Sequence, residues 1–506
     1  MRTNLLKILS CLLLPVALAS CKKFLDQDPV SSASDETTWS SDADANSSVA
    51  ACYSLVRSAL DAACSQFSYG DLPTDEFGNV ADADFLKIHN MQWDVSVVSY
   101  NAYDIKLKLR VWTPFYSAIA QSNRCLHFIN QMPLDVFTGN DDATRLKRKN
   151  KLLGEAYFTR ALAYFYMSRI WGDVPLVTEY ADDISGDLGL PRSSQANVLQ
   201  SCISDLGKAR QYLDIKDNTS TDRVVRADKG AVFALLAHIY AWEGSYDSCK
   251  MACDSVIGTG SYSLVSGSQY TSIYAGQSGE GIFEVAQNSS NEAMNAVAST
   301  ASVAYYVLST PYLPTRSTPN WQIGSGTLFK LYSDTANDLR YKKEFYLLNS
   351  GSTKYYCCSK YSNITTISSN GSNFYILRNN IIVFRLADIL LLKAEALAAG
   401  SLHDEAGALA LVNSIRLRAG LTPLPAGLTG NDLLNAITNE RGAELFLEGH
   451  RFYDLIRNER LTGGARIPGM TQTEFLAGKY YWPVDPSLFT LNPNLKQTPF
   501  WTSLSN

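Results

Sequence analysis

The residues that most resemble a reaction centre are three glutamates, Glu440, Glu444 and Glu448. Paired carboxylates can perform acid–base work on glycosidic bonds. At i, i+4 and i+8 they fall on one face of an expected helix, where like charges repel by a few tenths of a kcal/mol per pair, ~0.2–0.5. Such a row needs cations. Arg441, Arg451 and Arg457 are close in sequence, and Arg385, Arg416 and Arg418 could approach in the fold. We therefore read it as a structural ion network. The histidines, His89, His127, His238, His403 and His450, are isolated, and none forms a metal-binding spacing. His238 is expected in a helical core. No G-x-S-x-G, HExxH or glycine-rich phosphate loop occurs. The expectation is binding without catalysis, cofactor or metal.

A second set of residues suits binding. Sugars present an apolar C–H face and a polar rim, so they are held by flat aromatic rings flanked by carboxylates and amides. Two regions offer this. One holds Tyr69-Gly70-Asp71, Met91-Gln92-Trp93-Asp94 and Tyr100-Asn101. The other holds Tyr274, Tyr305-Tyr306, Tyr312 and Pro319-Asn320-Trp321. Trp93, Trp321, Asp71, Asn101, Tyr274 and Tyr305 are the glycan-binding candidates, with Trp93 and Trp321 as the expected floor because polar residues adjoin them. Each could instead pack inside a loop core. Trp112, opening a helix, and Trp482 are read as structural.

Helical stretches must position these groups. A helix is expected from near Asp42 to Leu60, with Asp42 or Asp44 as N-cap. Three helix pairs follow, near 149–176, 227–258 and 385–420. They stop or break at Gly172-Asp173-Val174-Pro175, Gly244-Ser245 and Gly400-Ser401. The second carries a small-residue face of Ala231, Ala234, Ala237 and Ala241 that lets a neighbour approach closely. The pairs resemble tetratricopeptide repeats; plain antiparallel helix pairs are the alternative. Residues 61–113 and 259–384 are loop-rich excursions. Gly281–Val285 and Phe374–Leu377 are expected strands there, and so long an irregular insertion is usually functional. The fold class is thus mainly α, a tetratricopeptide-like scaffold with a loop-rich lobe carrying short strands.

The N-terminus carries chemistry of another kind. Arg2 and Lys7 precede an apolar run, Ile8–Leu18, too short to span a bilayer, which takes ~20 apolar residues. Leu18-Ala19-Ser20-Cys21 then resembles the lipobox of bacterial lipoproteins. Residues 1–20 read as a signal peptide, 21–506 as one domain, and Cys21 as the lipidated anchor. The alternative is an ordinary secretory leader with an incidental cysteine. A net charge of −5 excludes the basic footprint that nucleic acid requires. Eight cysteines remain after Cys11 and Cys21. Their spacing matches no disulfide or zinc framework, and Cys249 and Cys253 fall on an apolar stripe, so buried thiols are expected.

Several blocks together carry a family resemblance. They are Phe24-Leu25-Asp26-x-x-Pro29 after the lipobox; Gly154-Glu155-Ala156-Tyr157-Phe158-x-Arg160-Ala161 with Trp171-Gly172-Asp173-Val174-Pro175-Leu176; Arg226-Ala227-Asp228-Lys229-Gly230-Ala231; and Arg385-Leu386-Ala387-Asp388 with Lys393-Ala394-Glu395-Ala396 and Val412-Asn413-x-Ile415-Arg416. The most specific is Glu440-Arg441-x-x-Glu444-Leu445-x-x-Glu448-Gly449-x-Arg451-x-x-Asp454-Leu455-x-Arg457. Tyr481-Trp482-Pro483-Val484 and Asn492-Pro493-Asn494-Leu495-x-Gln497-Thr498-Pro499 close the chain. In this order they resemble the SusD/RagB proteins over essentially the whole mature length. The resemblance implies a lipoprotein on the extracellular face of the outer membrane of Bacteroidetes-type bacteria. It would bind oligosaccharide for a SusC-like TonB-dependent transporter. Capture of peptides or glycoproteins on the same scaffold, or a surface glycosidase, are the alternatives.

Overall fold

The computed structural model describes residues 39–94, 105–181, 189–287, 302–369 and 371–504. Cys21 and Asn101 lie outside them. The long helices are α1 (Asp42–Asp61), α2 (Thr113–Gln131), α3 (Asp142–Trp171), α4 (Gln195–Tyr212), α5 (Lys229–Glu243), α6 (Tyr246–Gly258), α7 (Leu386–Ala399), α8 (Glu405–Arg418), α9 (Gly430–Glu444) and α10 (Arg451–Thr462). Each packs chiefly on its neighbours in the chain: α1 on α2, α2 on α3, α3 on α4, α4 on α5, α5 on α6, α6 on α7 and α7 on α8 and α9. This is the layered helix-on-helix scaffold that repeat proteins build.

Local sequence explains where the helices begin and end. The N-cap of α1 is Ser41, whose side chain accepts from the Asp44 amide, not Asp42 or Asp44 as expected. Ser41 caps with a hydroxyl and leaves both carboxylates in the first turn, beside the positive end of the helix dipole. Asp141 and Thr144 form a capping box that starts α3 ahead of the expected Lys149. Gly172 ends it at φ 73°, a left-handed backbone that costs glycine no strain. Asp228 caps α5 by accepting from the Ala231 amide, and Ala231, Ala234, Ala237 and Ala241 are all buried. With no large side chain on that face a neighbouring helix can approach closely, and α5 packs on α4, α6 and α7. Burying each large aliphatic side chain on these faces is worth roughly 1.5–3 kcal/mol.

The strands are β1 (Phe77–Val80), β2 (Gly281–Val285), β3 (Trp321–Ile323), β4 (Phe345–Ser350), β5 (Thr353–Cys358), β6 (Ile364–Ser369), β7 (Ser372–Leu377) and β8 (Ile381–Arg385). They form four antiparallel two-stranded ribbons, β1–β3, β2–β8, β4–β5 and β6–β7. The β2–β8 ribbon is buried along its whole length and seats the lobe against the helices. The β1–β3 ribbon joins the two excursions, pairing Val80 with Trp321 and Phe77 with Ile323. The eight cysteines from Cys52 to Cys358 are buried free thiols. Among the described residues no helix is long and apolar enough to cross a membrane.

Candidate functional site

The lobe is fixed to the scaffold by the glutamate row. Helix α9 supplies Glu440 and Glu444 but ends there; Glu448 sits in the following turn, beside Leu447 at φ 55°. The row therefore does not continue down one helical face, and the turn aims Glu448 at the lobe. Arg340 reaches Glu440 at 2.7 Å and Glu444 at 3.3 Å. Arg385 bridges Glu444 at 2.7 Å and Glu448 at 2.8 Å, and Lys360 holds Glu448 at 2.9 Å. Arg416 binds Glu440, and Arg418 binds Glu444 and Glu280. Of the expected cations, Arg385, Arg416 and Arg418 meet the row. Arg441, Arg451 and Arg457 serve Asp388, Asp75 and Glu395 instead. Burial alone would raise the Glu444 and Glu448 carboxyls; the guanidinium of Arg385, with Arg418 at one and Lys360 at the other, holds both below the usual range. Carboxylates so fully paired have no proton to exchange with a substrate.

One set of groups has the composition of a metal site. Ligand atoms of His238, Asp388 and His450 lie within 4.8 Å of one another, and His238 Nε2 stands 2.7 Å from Asp388 Oδ2. The surroundings argue against an ion. Arg441 already donates to Asp388 Oδ1 at 2.9 Å and to its backbone carbonyl at 3.0 Å. A divalent cation would add positive charge beside a buried guanidinium. His238 of α5 and Arg441 of α9 both hydrogen-bond Asp388 of α7, while His450, just before α10, meets the His238 ring at 5.7 Å, and His238 lies in the core as expected.

The glycan-binding candidates divide. Trp93 and Trp321 have no exposed surface and are not the floor of a site. Trp93 stacks on Trp482 at 4.4 Å and donates its Nε1 hydrogen to the Ile88 carbonyl. Trp321 stacks on Tyr306 at 5.1 Å and meets the edges of Phe77 and Phe85. The polar neighbours that suggested exposure have a different cause. In β3 successive side chains alternate faces, so Gln322 points out because Trp321 points in; at Trp93 a turn buries the ring while Gln92 and Asp94 stay exposed on either side. Asp71 is also buried; its Oδ2 accepts from the Gly449 amide at 2.7 Å, and burial pushes its carboxyl well up. Tyr274 is buried, donating to Glu344 at 2.7 Å. Tyr305 is half-buried, with the Arg316 guanidinium 3.9 Å from its ring. It is the one described candidate still at the surface. The β1–β3 ribbon does bring both excursions together, and its outer side carries Asn79 and Gln322, hydrogen-bonded at 3.2 Å.

Two of the cavities among the described residues bear on ligand binding. The larger, ≈520 Å³, lies between α2, residues 175–181 and residues 488–495. Its polar side chains are mostly engaged within the protein: Tyr116 donates to the Pro175 carbonyl, Gln121 to Ser48, and Asn123 to Val177 and Glu179. What remains is chiefly apolar and gives hydroxyls little to hold. The smaller, ≈170 Å³, opens in the lobe between Tyr312, the turn at 359–363 and the short helix Leu339–Glu344. Glu344 lies at its floor, where burial holds the carboxyl up at about 7 against the pull of Lys360. Of this pocket the sequence reading named Tyr274 and Tyr312; Lys343, Glu344, Ser362 and Asn363 were not singled out. Only the Ser- and Asn-rich composition of the excursion hinted at them.

Comparison with known proteins gives a consistent picture. The model of the SusD family matches residues 332–501. A second, described as starch-binding associating with outer membrane, matches residues 23–241. SusD-like protein P38 of Formosa agariphila is 27% identical over 524 residues, covering 95% of each chain. A SusD-like protein of Bacteroides ovatus is 25% identical, covering 90% of this chain and 82% of its own. Among solved structures, a SusD homolog from Bacteroides thetaiotaomicron matches with a TM-score of 0.76 at 26% identity, over 91% of this chain and 98% of its own. A laminarin-binding SusD-like protein shares the fold at a TM-score of 0.69 and 22% identity, over 91% of this chain and 99% of its own.

Proposed function

Since this chain belongs to the SusD family, we propose that it captures oligosaccharide at the cell surface and delivers it, unmodified, to a SusC-like TonB-dependent transporter. The observation that carries this reading is the likeness to a SusD homolog over 91% of the chain, which takes in the lobe as well as the scaffold. The description of the family matched at residues 23–241, starch-binding and associated with the outer membrane, supports both ligand class and location. The lobe supplies what sugar hydroxyls need. Its loops are rich in Ser, Asn and Tyr, and they are held on a rigid helical frame, where binding loops are commonly placed. Catalysis forms no part of the reading, because the stacked glutamates are neutralised by arginine and lysine.

The test is incubation of the detergent-solubilised protein with a panel of oligosaccharides and, separately, of peptides. Retention of a glycan at unchanged length supports capture. Shortened glycan products would establish a glycosidase, and retention of peptides alone would move the ligand class; either overturns the reading.

A further inference from the structure

The ≈520 Å³ cavity between α2, residues 175–181 and residues 488–495 is walled by Ile119, Ala120, Pro175, Val177, Leu491 and Leu495. Leu491 stands at it 79% exposed. Apolar surface of this kind gains from an apolar guest. A dry cavity of about 150 Å³ takes a benzene ring, so this one has room for about three groups of that size. Because its polar side chains mostly serve the protein's own backbone, the guest that fits is a set of bulky apolar side chains, not a polyol or an ion.

The chain itself brings such side chains to the place. The first described residue is Trp39, whose ring stacks on Phe128 of α2 at 5.1 Å. Tyr180, in the cavity wall, meets the same Phe128 ring at 5.1 Å. The N-terminal chain thus joins the scaffold one ring away from the cavity. Between Cys21 and Trp39 the sequence is mostly polar, and Phe24-Leu25 is its one adjoining pair of large apolar residues. Fourteen residues lead from Leu25 to Trp39; an extended chain of that length reaches about 45 Å, ample for a site so near its base. A tethered segment also meets its site at an effective concentration on the order of millimolar, which a free partner must match. Residues 182–188, which follow the wall residue Ala181, carry three aspartates and suit an apolar wall less.

We propose that the cavity seats the chain's own N-terminal segment, with the Phe24 ring and the Leu25 side chain inserted between α2 and residues 488–495. Two residues, Lys22 and Lys23, then lie between the seat and Cys21. Taken with the expected lipid on Cys21, the seat holds this face of the scaffold within about 10 Å of the acylated residue. The distance to the lipid rests on that anchor; the seat does not, because side chains alone make it.

The test places the photoreactive residue p-benzoylphenylalanine at position 24 of the full chain in isolated outer membranes, and maps the cross-linked peptides by mass spectrometry. The expected links run within one chain, to residues 113–131, 175–181 or 488–495. Ala120→Trp, at an exposed position in the wall, fills the space and should lower their yield at least about fivefold with an unchanged melting curve. A second readout is the fluorescence of anilinonaphthalene sulfonate, which lights up on exposed apolar surface. It is taken without detergent on the unlipidated Cys21→Ser chain. Adding Phe24→Ser and Leu25→Ser there should raise the signal several-fold, and adding Ala120→Trp as well should cancel the rise. Links only between two copies would give the cavity to a second chain, and links only to another protein would give it to a partner. Either overturns the proposal, as do links confined to other peptides or none at all. So does a wild-type yield in Ala120→Trp, or a dye signal that the two serines leave unchanged.

Discussion

Glu448 is held by two cations that approach from different elements, Arg385 at the end of β8 and Lys360 in the lobe. Replacing it with alanine would take one carboxylate from each, leaving Arg385 to Glu444 and Glu280 and Lys360 to Glu344; breaking a buried pair costs about 3–5 kcal/mol. Glu448→Ala should therefore lower the melting temperature by several degrees; an unchanged calorimetric melt would remove the residue from the network. His450 gives a pH-dependent counterpart. Burial holds its imidazole down at about 4, against the pull of Asp388. A base depressed in the fold favours the folded state fully above its unfolded pKa, ~6.5, and that contribution fades as pH falls toward about 4. The stability difference between wild type and His450→Gln should thus shrink as pH drops from ~6.5 to ~4, by a few kcal/mol. A difference that stays constant across that window would refute the assignment. These side chains also show what sequence could and could not say. Opposite charges had to meet the glutamate row, and three of the arginines named for it do. Yet Arg340 and Lys360, which complete it, stand in the 259–384 excursion, Arg340 on the short helix Leu339–Glu344 and Lys360 in a turn, with no local sign of their role. Trp93 and Trp321 misled for a related reason: alternation around a buried ring mimics the polar setting of an exposed one.

Among the elements, legibility follows the range of the interactions. The pairs α5–α6 and α7–α8 are written in local signals: small-residue faces, caps, and breaks at Gly244 and Gly400. The lobe's pairings are not local. The β1–β3 ribbon joins Asn79 to Gln322, 243 residues apart, and no periodicity announces such a partner. The 61–113 excursion is further pinned to the turn after α9, where the chain at Gly70 presses on Gly449. A Cβ at Gly70 would fall onto the Gly449 carbonyl, and backbone cannot move aside as a flexible side chain can. The Asp71–Gly449 hydrogen bond beside it, 2.7 Å, fixes the same junction. Gly70→Ala should therefore destabilise the protein by about 1–3 kcal/mol. Hydrogen exchange should accelerate in residues 65–89 and 445–450 before it does in α5 and α6. Uniform exchange in the variant, with an unshifted melt, would show that the two segments are not locked together.

At the scale of the whole molecule, the family matched at residues 23–241 is described as associating with the outer membrane, and among the described residues no helix is long and apolar enough to cross one. The expected anchor is acyl chain on Cys21, and the expected partner is a barrel transporter. These are separable. Chains anchored in one membrane meet at high effective concentration, so a modest interface between them suffices for a lasting complex. Two attachments, lipid and protein, also hold more firmly than either alone. The two are resolved by making Cys21→Ser with the transporter present and with it deleted. Without the transporter, Cys21→Ser should leave the outer-membrane fraction altogether, while wild type stays. With the transporter present, part of the unlipidated chain should remain bound. Affinity purification of wild type from gently solubilised outer membranes should recover a large barrel protein in near-equal amount. If Cys21→Ser fractionates with membrane when no transporter is there, the lipid anchor is wrong. If wild type is recovered alone under conditions that keep other membrane complexes intact, delivery to a partner barrel is wrong, and the protein captures its ligand without one.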